Sequence, residues 1–186
     1  MEHKKQILAI VGSFRKSSFN RQLAEEVKEL LDGQAEVRFL EYQTIPYLNQ
    51  DEEFPAPAEI ERVRSEAAAA DGIWIFTPEY NYNIPGALKN LLDWLSRPLV
   101  AGDPARKTAV TGKPVTISGA GGKNATQSVR KHLDALLPFM GMNLMKEPET
   151  GIAVSPEGFA SNQLVLSGEE QAQLKAQTEA FLHFLG

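Results

Sequence analysis

Short apolar segments alternate with amphipathic segments along almost the whole chain of 186 residues. Runs rich in β-branched and aromatic residues are typical of strands buried on both faces of a parallel sheet. Such runs lie at 7–11, 37–40, 73–76 and 115–118, and a less secure candidate lies at 142–145. Helical periodicity predicts helices over 18–31, 59–70, 87–95, 126–137 and 169–185. Because strand and helix alternate without a repeat or a linker, we predict a single α/β domain over residues 1–186, with right-handed crossovers and helices on both faces of the sheet.

The predicted sheet has five parallel strands, and a doubly wound sheet of this size suggests the flavodoxin-like strand order 2-1-3-4-5. In such sheets a ligand binds beyond the carboxyl ends of the strands, where the strand order reverses. The connections that follow strands one, three and four should therefore meet at one edge. We call them the first loop (12–20), the second loop (77–86) and the third loop (118–124).

Composition narrows the possible functions. The chain has no cysteine, which excludes disulfides, iron–sulfur clusters and thiol catalysis and fits a reducing compartment. A net charge of −5 without a dense cluster of Lys and Arg predicts no nucleic-acid partner. The apolar run at 7–11 is too short for a signal peptide or a membrane span, so we expect a cytoplasmic protein with no membrane partner. His3, His132 and His183 lack the spacing of metal ligands, and no metal site is predicted.

The first loop places hydroxyls, an amide and cations ahead of a predicted helix. Ser13 and Ser18 can donate hydroxyl hydrogens, and Asn20 can donate through its amide. Arg15 can direct two hydrogen bonds at an anion, and free N–H groups at a helix start favour phosphate. The alternative is that Ser17 or Ser18 only caps the helix and the cations are solvated. The loop matches neither a Walker A motif nor a Gly-x-Gly-x-x-Gly fingerprint, which disfavours an NTPase and a classical NAD site.

The second loop offers flat faces and hydrogen-bonding groups that suit a planar heteroaromatic ring. Tyr80 and Tyr82 supply the faces and Asn81 an amide, while Pro78 and Pro85 stiffen the backbone. The alternative is a surface loop with incidental aromatic residues, or a dimer contact. The third loop is rich in glycine, which lets the backbone approach a ligand closely, although a simple glycine turn is the alternative there.

These segments resemble the NAD(P)H-dependent FMN reductases, a family that includes bacterial chromate and quinone reductases and some azoreductases. The first loop is similar to the family's phosphate motif Gly-Ser-x-Arg-x-x-Ser-x-Asn. The second loop and the following helix resemble the signature Thr-Pro-Glu-Tyr-Asn-x-x-x-Pro-Gly-x-Leu-Lys-Asn-x-x-Asp-Trp, continued by Ser96, Arg97 and Pro98. The third loop departs from the family pattern, because the usual arginine is missing unless Lys123 replaces it.

The resemblance implies non-covalently bound flavin mononucleotide (FMN) and a specific set of site residues. The FMN phosphate would be held by Ser13, Arg15, Ser18, Phe19 and Asn20. The isoalloxazine ring would be lined by Pro78, Glu79, Tyr80 and Asn81, and approached from the third loop by Ser118, Gly119, Gly121 and Gly122. The resemblance also implies a homodimer or a homotetramer built as a dimer of dimers, with FMN near the interface.

The expected function is transfer of electrons from NADPH or NADH through FMN to a small acceptor, such as a quinone, a flavin, an azo compound or chromate. The flavin carries the redox chemistry, so no side chain is assigned as an acid, a base or a nucleophile. One alternative is a flavodoxin-type electron carrier that binds FMN without oxidising a nicotinamide, and another is a regulatory module without flavin. Arg15, Lys16 and the mild net charge favour the reductase over the carrier, and the two intact loops count against the module.

Overall fold

The computed structural model describes residues 4–186, so the expectation for His3 lies outside the described residues. The strands are β1 (Lys5–Val11), β2 (Ala35–Phe39), β3 (Gly72–Phe76), β4 (Pro114–Gly121), β5 (Asn143–Leu144) and β6 (Thr150–Ala153). The helices are α1 (Phe19–Leu30), α2 (Ala58–Ala69), α3 (Gly86–Leu95), α4 (Gln127–Phe139), α5 (Pro156–Ser161) and α6 (Gly168–Phe184). Each strand and helix predicted from the sequence is present, with its ends shifted by a few residues.

The strands form a parallel sheet of order β2-β1-β3-β4-β5, which confirms the predicted order. Successive side chains of each strand point to opposite faces, so the sheet has two cores. On one face, Leu8 and Ile10 of β1 pack with buried residues of α2, α3 and α4. On the other face, Ile7 and Ala9 pack with buried residues of α1 and α6. Helices therefore cover both faces, as the alternating pattern predicts.

Two short strands share the fifth position of the sheet. β5 pairs with Pro114 and Val115 at the start of β4, whereas β6 pairs with the end of β4 from Ser118 to Gly121. The prediction that the third loop begins at residue 118 was therefore wrong, because β4 continues to Gly121. The reason is that β6, which was not predicted, supplies main-chain partners that extend β4. Helix α5 was also not predicted.

Candidate functional site

The carboxyl ends of β1, β3 and β4 bring the three loops together, as predicted. The Gly12 N–H donates to the Phe76 carbonyl at 2.8 Å, and the Thr77 N–H donates to the Ser118 carbonyl at 3.0 Å. A Cβ atom on Gly12 would lie 2.9 Å from Thr77 Oγ1, so the first and second loops are in direct contact. The three loops thus form one continuous edge.

The first loop enters α1 with main-chain N–H groups that are free to bind an anion. Ser18 is the N-cap of α1, and its hydroxyl oxygen accepts a hydrogen bond from the Arg21 N–H at 3.3 Å. Within residues 4–186, no acceptor is paired with the N–H groups of Lys16, Ser17, Phe19 or Asn20. A helix start with free donors carries partial positive charge and suits phosphate. The loop therefore caps the helix and also leaves main-chain donors available, an arrangement that suits an anion.

The Arg15 guanidinium lies on the outer side of the first loop. Its Nη1 donates to the side-chain oxygen of Asn162 at 2.6 Å, and its central carbon lies 4.7 Å from the centre of the Phe19 ring. The Phe19 ring is itself part of the core under α1, so its main-chain N–H is the group available to a ligand. Ser13 is half-buried, and its hydroxyl oxygen accepts a long hydrogen bond from the Arg15 N–H at 3.4 Å.

A cavity of about 350 Å³ opens beside the first loop, on the side of β2. Its lining consists of Val11, Ser13, Phe14, Arg15, Lys16, Arg21, Phe39, Leu40, Glu41, Tyr42 and Gln43. Three cations and one acid among these residues give the wall a net positive charge. A positive wall with aromatic patches suits a ligand that is anionic at one end and apolar at the other.

Asn20 is buried and joins the first loop to β4. Its Nδ2 donates to the Ala120 carbonyl at 2.9 Å, and its Oδ1 accepts from the Ala120 N–H at 2.8 Å. The side chain thus forms two hydrogen bonds with one residue 100 positions away in the sequence. Asn20 therefore sets the distance between the start of α1 and the end of β4.

The second loop contains a tight turn that exposes two tyrosines. Tyr80 and Asn83 exchange main-chain hydrogen bonds of 3.2 and 3.0 Å, and the two residues between them, Asn81 and Tyr82, have φ of 53° and 61°. Two consecutive left-handed residues define a type I′ turn. Tyr80 is 50% exposed and Tyr82 is 73% exposed, so both rings are accessible to a flat ligand or to a second chain. Pro78 is buried beneath this turn.

Glu79 connects the second loop to α4. Its Oε1 accepts from the Asn124 side-chain amide at 2.7 Å, and its Oε2 accepts from the Val129 N–H at 3.0 Å. Thr126, the N-cap residue of α4, makes no side-chain capping bond, and the Glu79 carboxylate takes that place. An anion at a helix N-terminus is stabilised by the free N–H groups and the helix dipole. Glu79 therefore fixes the position of the second loop relative to α4.

Ser118 lies inside the sheet. Its hydroxyl accepts from Trp74 Nε1 at 3.0 Å and donates to Gln177 Oε1 at 2.9 Å, and all three side chains are fully buried. The same Gln177 amide donates to the Thr116 hydroxyl at 2.9 Å and to the Ile117 carbonyl at 2.8 Å. This polar network attaches α6 to β4 below the third loop.

The glycines of the third loop differ in how much space surrounds them. Gly119 is buried, and a Cβ atom there would lie 2.6 Å from the Thr77 carbonyl oxygen. A Cβ atom on Gly121 would lie 3.0 Å from Thr126 Cγ2, whereas one on Gly122 would meet nothing within 4 Å. Gly119 therefore allows close packing of the loops, Gly121 ends β4 in a confined position, and Gly122 is the glycine of this loop with open space around it.

Tyr42 belongs to the site although it lies outside the three predicted loops. Its hydroxyl donates to the Val11 carbonyl at 2.7 Å, and its ring packs edge-to-face on Phe14 with centres 4.9 Å apart. Burial raises the pKa of the Tyr42 phenol, and the nearby Tyr80 adds to the rise. Tyr42 is thus a neutral residue that lies close to both the first and the second loop. Its sequence signal is an aromatic residue just after strand two, at the same edge of the sheet.

The long signature that follows the second loop has a structural role. Asn90 Nδ2 and Trp94 Nε1 both donate to the Pro46 carbonyl at 2.9 Å. Arg97 forms two hydrogen bonds with the Glu53 carboxylate, of 3.0 and 2.8 Å. These bonds hold the segment 46–53 against α3, next to the second loop.

A doubly wound sheet with free N–H donors in its first loop and an exposed aromatic turn at its switch point defines the class: a flavodoxin-like α/β protein. Among residues 4–186, no three His, Asp or Glu side chains lie close enough to hold a metal ion. The described helices include none that is long and apolar enough to cross a lipid bilayer.

The sequence matches the family of NADPH-dependent FMN reductases over residues 6–157. It is similar to a 2-hydroxy-1,4-benzoquinone reductase from a Burkholderia species, with 32% identity over 170 residues that cover 91% of this chain and 90% of that protein. It is similar to a quinone reductase from Escherichia coli K12, with 36% identity over 153 residues that cover 80% of this chain and 78% of that protein. Its structure resembles FerB, a flavoenzyme NAD(P)H:(acceptor) oxidoreductase from Paracoccus denitrificans, with a TM-score of 0.84, 28% identity and 97% of each chain covered.

The chain therefore belongs to the NADPH-dependent FMN reductase family. It is an oxidoreductase that uses FMN and a reduced nicotinamide, which confirms the activity and the cofactors expected from the sequence. The alternative of an electron carrier that does not oxidise a nicotinamide is correspondingly disfavoured.

Proposed function

We propose that the protein transfers electrons from NADPH or NADH, through FMN, to small planar acceptors of the quinone type. The observation that carries this proposal is the exposed tyrosine turn of the second loop, next to an anion-binding first loop. Flat aromatic faces suit a flat acceptor. Two relatives named for quinone substrates support the same acceptor class.

The residues present fit FMN in two parts. Its phosphate would bind the free N–H groups of the first loop, including that of Phe19, together with the hydroxyls of Ser13 and Ser18 and the Arg15 guanidinium. Asn20 contributes by holding this loop against β4. The groups of the first loop are therefore suited to an anion, and the FMN phosphate is an anion.

The ring of FMN would lie between the second loop, from Pro78 to Asn81, and the third loop where it leaves β4 at Gly121 and Gly122. Glu79, Ser118 and Gly119 support these two loops through the contacts described above. When bound, FMN supplies the hydride and electron-transfer chemistry. Main-chain N–H groups around Asn81 and Gly121 would donate to the edge of the ring that gains negative charge on reduction.

Anaerobic mixing of the purified protein with NADPH, and separately with NADH, tests the proposal. The flavin absorbance bands should bleach with at least one donor and return when a benzoquinone is added. An electron carrier would keep its oxidised spectrum in both mixtures. A colourless protein that takes up no added FMN would rule the proposal out.

Arg15→Ala should raise the dissociation constant for FMN about 10- to 100-fold. A hydrogen bond to a charged group contributes about 1.5–3 kcal/mol, and Arg15 is the only residue proposed to meet the phosphate with a planar pair of donors. Titration of the flavin-free protein with FMN, followed by flavin fluorescence, measures the change.

Two further variants show whether the effect belongs to Arg15. Arg15→Lys keeps the charge without the planar pair and should fall between the wild type and the alanine variant. Lys28→Ala removes a cation from the last turn of α1, far from the loop, and should leave FMN affinity unchanged. Equal affinity in the wild type and in Arg15→Ala would refute the phosphate assignment.

We also propose that residues 1–186 form a single domain, which assembles as a homodimer or a pair of dimers in the cytoplasm. The exposed Tyr80 and Tyr82 offer an aromatic surface beside the site that a second copy could cover. A chain without cysteine that uses a reduced nicotinamide suits a reducing compartment. Light scattering after size-exclusion chromatography should give a mass of two or four chains of 20.5 kDa, and a monomer mass would contradict the assembly.

A further inference from the structure

A cluster of half-buried charged side chains lines a cavity of about 600 Å³ next to the start of β6. Glu149 directly precedes β6, and Arg130 and Asp134 lie one turn apart on α4. Arg130 Nη1 lies 2.9 Å from Glu149 Oε2, and these two side chains are only 18% and 10% exposed. Charges this far from water require complete hydrogen bonding to be tolerated.

That hydrogen bonding is incomplete if both acids are ionised. Four buried side-chain atoms of this cluster have no hydrogen-bond partner among residues 4–186: Arg130 Nε, Asp134 Oδ1, Glu149 Oε1 and Thr150 Oγ1. Asp134 acts on Glu149 both through its charge and as a side-chain hydrogen-bond partner, and both effects raise the pKa of Glu149. The two side chains line the same cavity of about 600 Å³. Two carboxylates can only present an acceptor to an acceptor, whereas one proton between them makes one acid a donor to the other. A proton on Glu149 would therefore supply the donor that two ionised carboxylates lack.

The surroundings favour a protonated acid near neutral pH. Burial raises the pKa of the Glu149 carboxyl to about 7, and Asp134 adds to the rise while Arg130 opposes it. The other groups that face the pair are Lys146 and Glu147, from the connection between β5 and β6, and Gln173 from α6. Gln173 Nε2 donates to the main-chain oxygen of Glu149 at 2.9 Å, so it fixes the backbone and donates nothing to the carboxyl.

Arg130 links this acid pair to the end of the third loop. Its Nη2 donates to the Ala125 carbonyl at 3.5 Å, and Ala125 and Thr126 both adopt left-handed φ values, of 46° and 59°. Such values are unfavourable for residues other than glycine and need support from their surroundings. A Cβ atom on Gly151 would lie 2.5 Å from both the Ala125 oxygen and Arg130 Nη2, so the guanidinium packs directly on β6.

We propose that the Glu149 carboxyl is protonated and donates a hydrogen bond to the Asp134 carboxylate, and that this pair positions the third loop for FMN through Arg130. With the proton in place, the pair carries a single negative charge and Arg130 keeps its bond to Ala125. Without it, two carboxylates attract the guanidinium away from Ala125, and the third loop loses support. Arg130, Asp134 and Glu149 are positioning residues. Only the effect on the third loop and FMN rests on the proposed function.

The proton itself can be measured by carbon-13 NMR of the full chain labelled at its Glu side-chain carboxyls. One resonance should titrate near pH 7, and it should be missing from the spectrum of Glu149→Gln. Glu147→Gln is the matched control, because Glu147 is an exposed acid in the same connection, and the resonance should remain in its spectrum. The wild-type titration does not depend on a variant folding. If every glutamate titrates below pH 5.5, Glu149 does not hold the proton.

The pH dependence of the free energy of unfolding tests the same proton independently, and the direction of the change can be predicted. A raised pKa means that the folded chain holds the proton more tightly than the unfolded chain does. The resulting stabilisation is complete below 4.5, the ordinary value for Glu, and is lost as pH rises toward 7. The unfolding equilibrium constant should therefore rise by up to about tenfold per pH unit in this window, relative to Glu149→Gln. If the unfolding equilibrium constants of the wild type and Glu149→Gln changed with pH in the same way, the proposal would be overturned.

The effect on the third loop is measured by FMN affinity at pH 6 and pH 8. At each pH, the dissociation constant of the wild type is divided by that of Glu149→Gln. This ratio should rise about fivefold from pH 6 to pH 8, which is a typical small coupling between two sites. The ratio cancels the titration of the FMN phosphate. A constant ratio would overturn the link to the loop. If no FMN binds at any pH, the proposed function fails, while the NMR titration still decides whether Glu149 holds the proton.

Discussion

Gly119→Ala should produce a protein that no longer retains FMN and whose free energy of unfolding is lower by about 3 kcal/mol or more. The new Cβ atom would overlap Thr126 Oγ1 and would lie 2.6 Å from the Thr77 carbonyl oxygen. The Thr77 carbonyl belongs to the main chain of the second loop. It cannot move away from the new Cβ atom unless the hydrogen bond from the Thr77 N–H to the Ser118 carbonyl, 3.0 Å long, is broken. Urea unfolding and FMN titration measure the two losses.

Gly122→Ala is the matched control for this substitution. It adds the same methyl group to the same loop, where nothing lies within 4 Å. Neither glycine has a positive φ, so alanine causes no backbone strain at either position. The control should change stability by less than about 0.5 kcal/mol. If Gly119→Ala were as stable as the control and bound FMN as tightly as the wild type, the close packing of the second and third loops would be disproved.

The sheet order and the meeting of the three loops could be predicted from the sequence because both follow from chain topology. Once strands such as 73–76 are identified as buried, the right-handed crossover rule leaves few arrangements, and the carboxyl ends must share one edge. The strand β6 could not be predicted in this way. It reads Thr-Gly-Ile-Ala, a weak strand signal, and becomes a strand because the main chain of β4 lies beside it.

The partner of each polar side chain in the site could not be predicted from the motifs. The sequence indicates that Glu79 and Ser118 lie at the correct edge of the sheet. It does not indicate that Glu79 caps a helix 50 residues away, or that Ser118 bonds to Gln177 across 59 residues. Such bonds depend on distances between elements, which are set only when the two cores pack. A motif thus locates a site more reliably than it assigns a contact to each of its residues.

Asn20→Ala should lower the free energy of unfolding by about 2–4 kcal/mol and weaken FMN binding in the same protein. The substitution removes two buried hydrogen bonds and leaves both the N–H and the carbonyl of Ala120 without a partner. An unpaired buried polar group costs about 1–3 kcal/mol. Because Asn20 is 2% exposed, water cannot readily replace the lost bonds. Urea unfolding measures the loss, and FMN titration shows whether the first loop still binds phosphate.

Gln22→Ala shows how much of the loss in stability comes from the burial of the hydrogen bonds rather than from their number. Gln22 lies on the same helix and also makes two hydrogen bonds to main chain, to the Asn162 carbonyl at 3.1 Å and from the Leu164 N–H at 2.8 Å. It is only half-buried, so water can replace its bonds, and the loss should stay below about 1 kcal/mol. Asn20→Asp provides a second comparison, since a carboxylate still accepts from the Ala120 N–H but cannot donate to the Ala120 carbonyl. Equal losses for Asn20→Ala and Gln22→Ala would show that Asn20 does not hold the first loop against β4.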